Sequence, residues 1–189
     1  MIQFREGAGR LCLDFLRTLR FAGSDHAVEE LAGPAELAAW ITRFSPDRTA
    51  PSNPPTVAQA REARLLREAI RSVLASARST SGDAPGLRRA RGRINAAAAR
   101  LPGAPALDNA NTVRWDTGDG VTTMLSLIAR DAIDLVSSAR LPRVRNCANP
   151  QCGALFLDNS RPGTRRWCSM NSCGNLAKKA ALRQKAGPA

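Results

Sequence analysis

The placement of four of the five cysteines constrains this chain more than any other feature. All four fall within "RNCANPQCGALFLDNSRPGTRRWCSMNSCGNLAKK", residues 145–179. Cys147 and Cys152 are separated by four residues, Cys168 and Cys173 by four more, and fifteen lie between the pairs. Two short pairs joined by a turn-rich span can bring their sulfurs to one point. Four thiolates at about 2.3 Å close a tetrahedron around zinc and leave no position for a reactive water. The spacing therefore predicts one structural Zn²⁺ held by Cys147, Cys152, Cys168 and Cys173. In a reducing cytosol such pairs read as metal ligands rather than disulfides. The fifth cysteine, Cys12, stands among Leu11, Leu13 and Phe15 and reads as a small core residue.

The residues between the ligands fit a compact module. "RVRNC" reads as a short strand, Asn149-Pro150 as the turn between the first two ligands, and "ALFL" as a second strand. Pro162-Gly163 reads as a tight turn and "RRWC" as a returning strand. "SMNSCGNLAKKAALRQKA" reads as a helix capped by Ser169, with Cys173 in its first turns. Knuckle, hairpin and ligand-bearing helix in that order describe a treble-clef-like finger, with Phe156 and Trp167 as its miniature core. A dication among four thiolates leaves excess negative charge, so Arg145, Arg165 and Arg166 have something local to balance.

Residues 1–142 read as a separate helical domain. Hydrophobic residues make up 43% of the chain with 4% aromatics and no Tyr, so the core must come from Leu, Ile, Val and Ala, which favours packed helices. "LCLDFLRTLRFA" predicts a helix near 10–22, with Leu11, Phe15, Leu16 and Leu19 at helical spacing. "GPAELAAWITRF" predicts a second, opening at Pro34 with Leu37, Trp40, Ile41 and Phe44 as its stripe. Residues 56–79 predict the longest helix, with Val57, Leu66, Ile70, Val73, Leu74 and Ala77 on one face. "TSGDAPG" breaks the chain, and a weaker helix follows over 87–100. "NTVRWDTGDGVTT" predicts a small β-hairpin turning at Asp-Thr-Gly-Asp-Gly, and residues 121–139 a final helix with Met124, Leu125, Ile128, Ala132, Leu135 and Val136 inward. Pro142 marks the boundary, and the finger occupies 143–189.

The motif "C-x4-C … RRWCSMNSCGN" followed by a basic helix resembles the CGNR zinc finger of bacterial proteins. "LCLDFLRTL … EELAGPAELAAWI" resembles the start of the ABATE domain that usually precedes it. Together the two resemblances cover nearly the whole chain. They imply a stress-induced transcription regulator whose finger binds DNA and whose helical domain has a regulatory, ligand-sensing role. The family's motif closes on Arg where this chain has Leu176, and its N-terminal motif often has Asn where Arg17 stands.

The charge distribution bears on the partner. The net charge is +12, and residues 140–189 hold ten Lys/Arg against the single acid Asp158, a net of +9, leaving +3 for the first 139 residues. All three lysines, Lys178, Lys179 and Lys185, lie in the last helix. At the helical period Lys178, Lys179, Arg183 and Lys185 share an arc of about 160°. Cys173, Leu176, Ala177 and Ala180 fall on the other side, toward the metal, with Leu176 where the two faces meet. Such a face reads as a contact for duplex DNA, ahead of docking onto a protein or an idle solvated surface. Arg165 and Arg166 would flank it as phosphate contacts, and Asn175 and Arg183 are the residues equipped to read base edges. A finger that docks a protein partner, without touching DNA, is the alternative.

No nucleophile motif or phosphate-binding glycine pattern stands out, and the one histidine, His26, reads as a loop residue, so the expectation is not an enzyme. Asp14, Trp40 and Trp115 are the weak candidates for lining a small-molecule pocket. The chain shows no apolar run of membrane-spanning length and no leader-like start, and it reads as cytoplasmic.

Overall fold

The computed structural model describes residues 3–79, 86–116 and 118–185. Its helices are α1 (Leu11–Leu16), α2 (Pro34–Phe44), α3 (Val57–Ala77), α4 (Leu87–Ala98), α5 (Gly120–Ser137) and α6 (Asn175–Lys185). Three two-stranded antiparallel ribbons accompany them: β1 (Leu19–Arg20) with β2 (Val28–Glu29), β3 (Ala104–Leu107) with β4 (Val113–Asp116), and β5 (Val144–Asn146) with β6 (Leu155–Leu157). The protein is therefore mainly helical. α3 is the hub, packing against α1, α2, α4 and α5. Its start is fixed by a capping box, in which the Thr56 side chain accepts from Gln59 N–H while the Gln59 side chain accepts from Thr56 N–H. Phe15, Trp40 and Phe44 form the aromatic centre of the core, Trp40 lying edge-on to Phe15 at 5.1 Å and stacked on Phe44 at 4.6 Å.

Several sequence expectations are corrected. The first helix stops at Leu16 instead of running to 22, because the Thr18 hydroxyl and N–H both take the Phe15 carbonyl and the chain then pairs as β1. Val57, expected in the core, is 72% exposed, since it occupies the first turn of α3 ahead of the packed surface. The hairpin exists, but its turn is Asp108–Thr112, where the Asp108 carboxylate accepts from the N–H groups of Ala110 and Thr112. The Asp-Thr-Gly-Asp-Gly run instead leads into α5, with Asp119 as N-cap accepting from Val121 N–H. The break at 80–86 lies outside the described residues except for Gly86.

The two regions share one continuous buried cluster, and the contact between them is specific. Leu157 N–H donates to Ala8 C=O at 2.7 Å, extending β6 onto the segment before α1. Phe156 and Leu157 are fully buried, and β6 packs against α1. Arg78 at the end of α3 donates to the Asn146 side chain at 3.0 Å, and Arg140 to that of Asn159 at 3.0 Å. At Gly153, φ is +62° and a Cβ would collide with the Ala22 carbonyl, so only glycine lets the first knuckle seat against the turn after β1.

Candidate metal centre and basic helix

The knuckle is built by the β5–β6 ribbon, whose register pairs Val144 with Leu157, Arg145 with Phe156 and Asn146 with Leu155. Cys147 N–H donates to Ala154 C=O at 2.9 Å and Cys152 N–H to Asn149 C=O at 2.9 Å, which closes the loop bearing the first ligand pair. The expected strand at 165–168 is absent, because its backbone serves the site. Arg166 C=O accepts from Ala148 N–H at 2.8 Å, and Cys168 N–H donates to Cys147 Sγ at 3.5 Å. Cys173 sits in a wide helical turn, Met170–Gly174, where Gly174 N–H reaches back to Ser169 C=O at 3.0 Å before α6 begins. Ser169 occupies the N-cap position, but its side chain caps nothing.

All four sulfurs are buried, free of disulfides and within 4.8 Å of one another. The Cys152–Cys168 separation is 3.6 Å and the Cys168–Cys173 separation 3.8 Å. A zinc–sulfur bond of about 2.3 Å demands a tetrahedral edge of about 3.8 Å, so these two edges already have the length zinc requires. Its electrostatics ask for a cation. The Cys168 thiol, with the Ala154 N–H and the other two thiols, pushes Cys152 down to about 4 against the cost of burial. Cys168 is pushed far up by that same shared proton, by burial and by the neighbouring sulfurs, and burial first of all raises Cys173. A dication that takes the place of the protons relieves this mutual repulsion. These residues form a site for one structural zinc ion.

Two supporting residues were missed by the sequence reading. Asn149 donates from Nδ2 to Cys173 Sγ at 3.7 Å while its Oδ1 accepts from Gln151 N–H, so the knuckle turn itself tethers the last ligand. Asp158 is fully buried and organises the loop between the pairs. Its carboxylate accepts from Ser160 N–H at 2.9 Å, Ser160 Oγ at 2.6 Å and Arg165 N–H at 2.9 Å, and it faces Arg145 at 3.5 Å. The Ser160 hydroxyl, then the two N–H groups and the Arg145 charge, hold its pKa below the usual carboxylate range. Its signal was present in the sequence, as the lone acid in a basic segment.

The predicted basic residues divide into two groups. Arg165 turns inward: its Nε donates to Trp167 C=O at 2.9 Å, a terminal nitrogen donates to Cys168 C=O, and the guanidinium lies over the Phe156 ring at 4.7 Å. Its Nε and one terminal nitrogen are spent on backbone carbonyls, so it is held against the finger rather than offered freely to a phosphate. Arg145 is similarly engaged with Gly163 C=O at 2.6 Å. Arg166 stays exposed, stacked over the half-buried Trp167 at 5.2 Å. Asn175, Lys178, Lys179 and Arg183 are exposed on α6, which carries no acid. Lys185 is the last residue of α6, and its side chain lies outside the described residues. Leu176 is 59% exposed and Ala180 is exposed too, so neither faces the metal as expected. Leu182, at 66% exposure, falls inside the basic arc.

The structure does not bring together the three residues considered for a small-molecule pocket. Asp14 is held by Ala8 N–H at 2.9 Å and lies 3.5 Å from the buried Arg17, and burial raises its pKa. Trp40 is fully buried in the aromatic core. Trp115 lines a separate cleft of about 230 Å³ with Pro46, Asp47 and Pro51 of the loop after α2.

Residues 9–139 match the ABATE family model, described as "putative stress-induced transcription regulator", and residues 143–186 match the CGNR zinc finger. The search of curated proteins returns no match. Among the described residues no helix is long and apolar enough to cross a membrane.

Proposed function

This chain belongs to the ABATE family, with a CGNR zinc finger behind the family domain, and from that premise we propose a transcription regulator that binds duplex DNA through α6. The helical domain receives a small-molecule or stress signal, and no catalytic step is assigned to it. The observation that carries the reading is the acid-free, exposed face of Lys178, Lys179 and Arg183 on a helix anchored to the metal through Cys173. Zinc fixes the start of the helix while the rest projects away from the finger's core, as a groove-entering helix requires.

With Arg165 held against the finger, α6 and Arg166 offer four or five phosphate contacts. Log affinity should then fall with log salt at a slope of about −4. Selection of a randomised duplex pool on the zinc-loaded protein, followed by sequencing, tests the reading. Enrichment of a common site with that salt slope supports it, and absence of duplex binding at low salt removes it.

A second reading rests on the exposed apolar residues Met170, Leu176 and Leu182 around the same helix. They suit a protein partner, for which affinity would vary little with salt.

A further inference from the structure

A cleft of about 420 Å³ opens where α3 meets the first knuckle. Arg71 and Arg78 stand in its wall seven residues apart on α3, two helical turns along one face, and Ala75 between them leaves room for an occupant. Asn146, Pro150 and Leu155 supply the opposite wall from the finger. Cys147, a ligand of the metal centre, and Asn149 also line it, and none of the lining residues is a carboxylate.

No carboxylate of the described residues pairs with Arg78, which donates to the neutral Asn146 amide. Arg71 gives one terminal nitrogen to Leu16 C=O at 3.0 Å, but its buried Nε makes no hydrogen bond and stands 3.6 Å from Glu68, a carboxylate already held by Arg67 at 3.0 Å. Two arginines whose Cα atoms stand about 10 Å apart along one helix face, with Pro150 and Leu155 opposite, form a recognition surface for an acid with a nonpolar body. We propose that this junction cleft binds a small organic anion, a carboxylate or phosphate ester, between Arg71 and Arg78. Burial depresses both guanidinium pKa values, opposed at Arg71 by Glu68, and an anion would relieve that cost. Because the walls come from α3 and the knuckle, an occupant ties the helical domain to the finger. That coupling deepens the proposed signal reception, but binding itself does not depend on DNA.

The test uses full-length, zinc-loaded protein without DNA and titrates benzoate and phenyl phosphate, with neutral benzamide as control, by ligand-observed NMR and calorimetry. At least one anion should bind and benzamide should not. Arg78→Gln, at an exposed helix end, should weaken binding at least tenfold without lowering thermal stability, and Arg71→Lys should weaken it less. Equal behaviour of anions and benzamide, or unchanged binding in Arg78→Gln, overturns the proposal. Two other results also overturn it by giving the arginines another task. One is anion-independent loosening of zinc in Arg78→Gln, which would make the cation a counter-charge for the thiolates. The other is no free-anion binding with a duplex salt slope flattened by about 1, which would make it a DNA phosphate contact. Failure of duplex binding with anion binding intact would leave this site standing and remove only the DNA reading.

Discussion

The helical region and the finger keep their shape by different means. The first buries stripes of Leu, Ile, Val and Ala around Phe15 and Trp40, each of the larger aliphatic side chains contributing on the order of 1.5–3 kcal/mol. Among the described residues the apolar side chains that the second buries besides its ligands are Val144, Ala154, Leu155, Phe156 and Leu157, and it relies on four sulfurs, the buried Asp158 and guanidinium bonds to backbone carbonyls. Apolar area is divided among many residues, so its loss is graded. A metal centre is lost whole. The difference teaches that the finger can be switched by one ion while the helical region cannot. Their shared surface at β6 and α1 decides how far such a switch is felt.

The largest effect should follow Cys168→Ser. Structural zinc contributes on the order of 10–16 kcal/mol of apparent binding energy, so elemental analysis should fall from one zinc per chain toward none. Hydrogen exchange should then lose protection over residues 143–185 and also at residues 3–10, because Ala8 accepts from Leu157. α3 and α5 should stay protected. If they open in the same step, the two regions are one cooperative unit and the contrast fails. Trp40→Ala comes next, costing about 3–5 kcal/mol in denaturant melts while zinc remains at one per chain wherever the fold persists.

The junction ranks third. Gly153→Ala combines a left-handed backbone with the collision at Ala22, about 2–4 kcal/mol in a thermal or denaturant melt. Zinc should be retained, since the ligand positions are untouched, and Arg78 should lose its grip on Asn146. A smaller effect belongs to Glu29. Burial pushes its pKa up, but Arg67, at 2.6 and 2.5 Å, and Leu31 N–H hold it below its ordinary value. A lowered folded pKa contributes stability above the unfolded value near 4.5 that is lost as pH falls through the folded one. Glu29→Gln should cost about 1–2 kcal/mol at neutral pH and nothing in strong acid, where urea midpoints of mutant and parent converge.

The metal site was legible because four ligands at short spacing admit few other arrangements, and the family resemblance rested on the same residues. α2, α3 and α5 were legible from their apolar stripes, and the start of α2 from Pro34. What escaped had a tertiary cause. α1 ends early because β2 offers β1 a partner, a contact that local periodicity does not encode. The hairpin turn was misplaced because Asp108 and Asp119 both sit in turn-rich runs, and only pairing with Ala104–Leu107 selects between them. Arg165 looked like a phosphate contact because composition cannot tell an arginine that binds Trp167 and Cys168 carbonyls from one that faces solvent. Leu176, where the two faces meet, was grouped with the metal side through its angle to Cys173, a relation that the wide turn at Met170–Gly174 changes before α6 begins.

The smallest structural effect, and the sharpest functional one, is expected on α6. Lys178→Ala with Lys179→Ala removes two exposed cations that touch no core residue, so stability should change by no more than about 0.5 kcal/mol and zinc content not at all. If both engage phosphates, the duplex salt slope flattens by about 2, uniformly across sequences. Arg183→Ala and Asn175→Ala should instead relax preference at particular positions of a selected site, since a bidentate base contact is worth about 1–3 kcal/mol of discrimination. Leu176→Arg restores the residue of the family motif at a position that is 59% exposed, so it should fold normally. It should also steepen the slope by about 1. A Leu176→Arg protein that folds, keeps its zinc and binds duplex no differently would show that this side of the helix faces away from DNA. The exposed Leu176 would then be left for a protein partner.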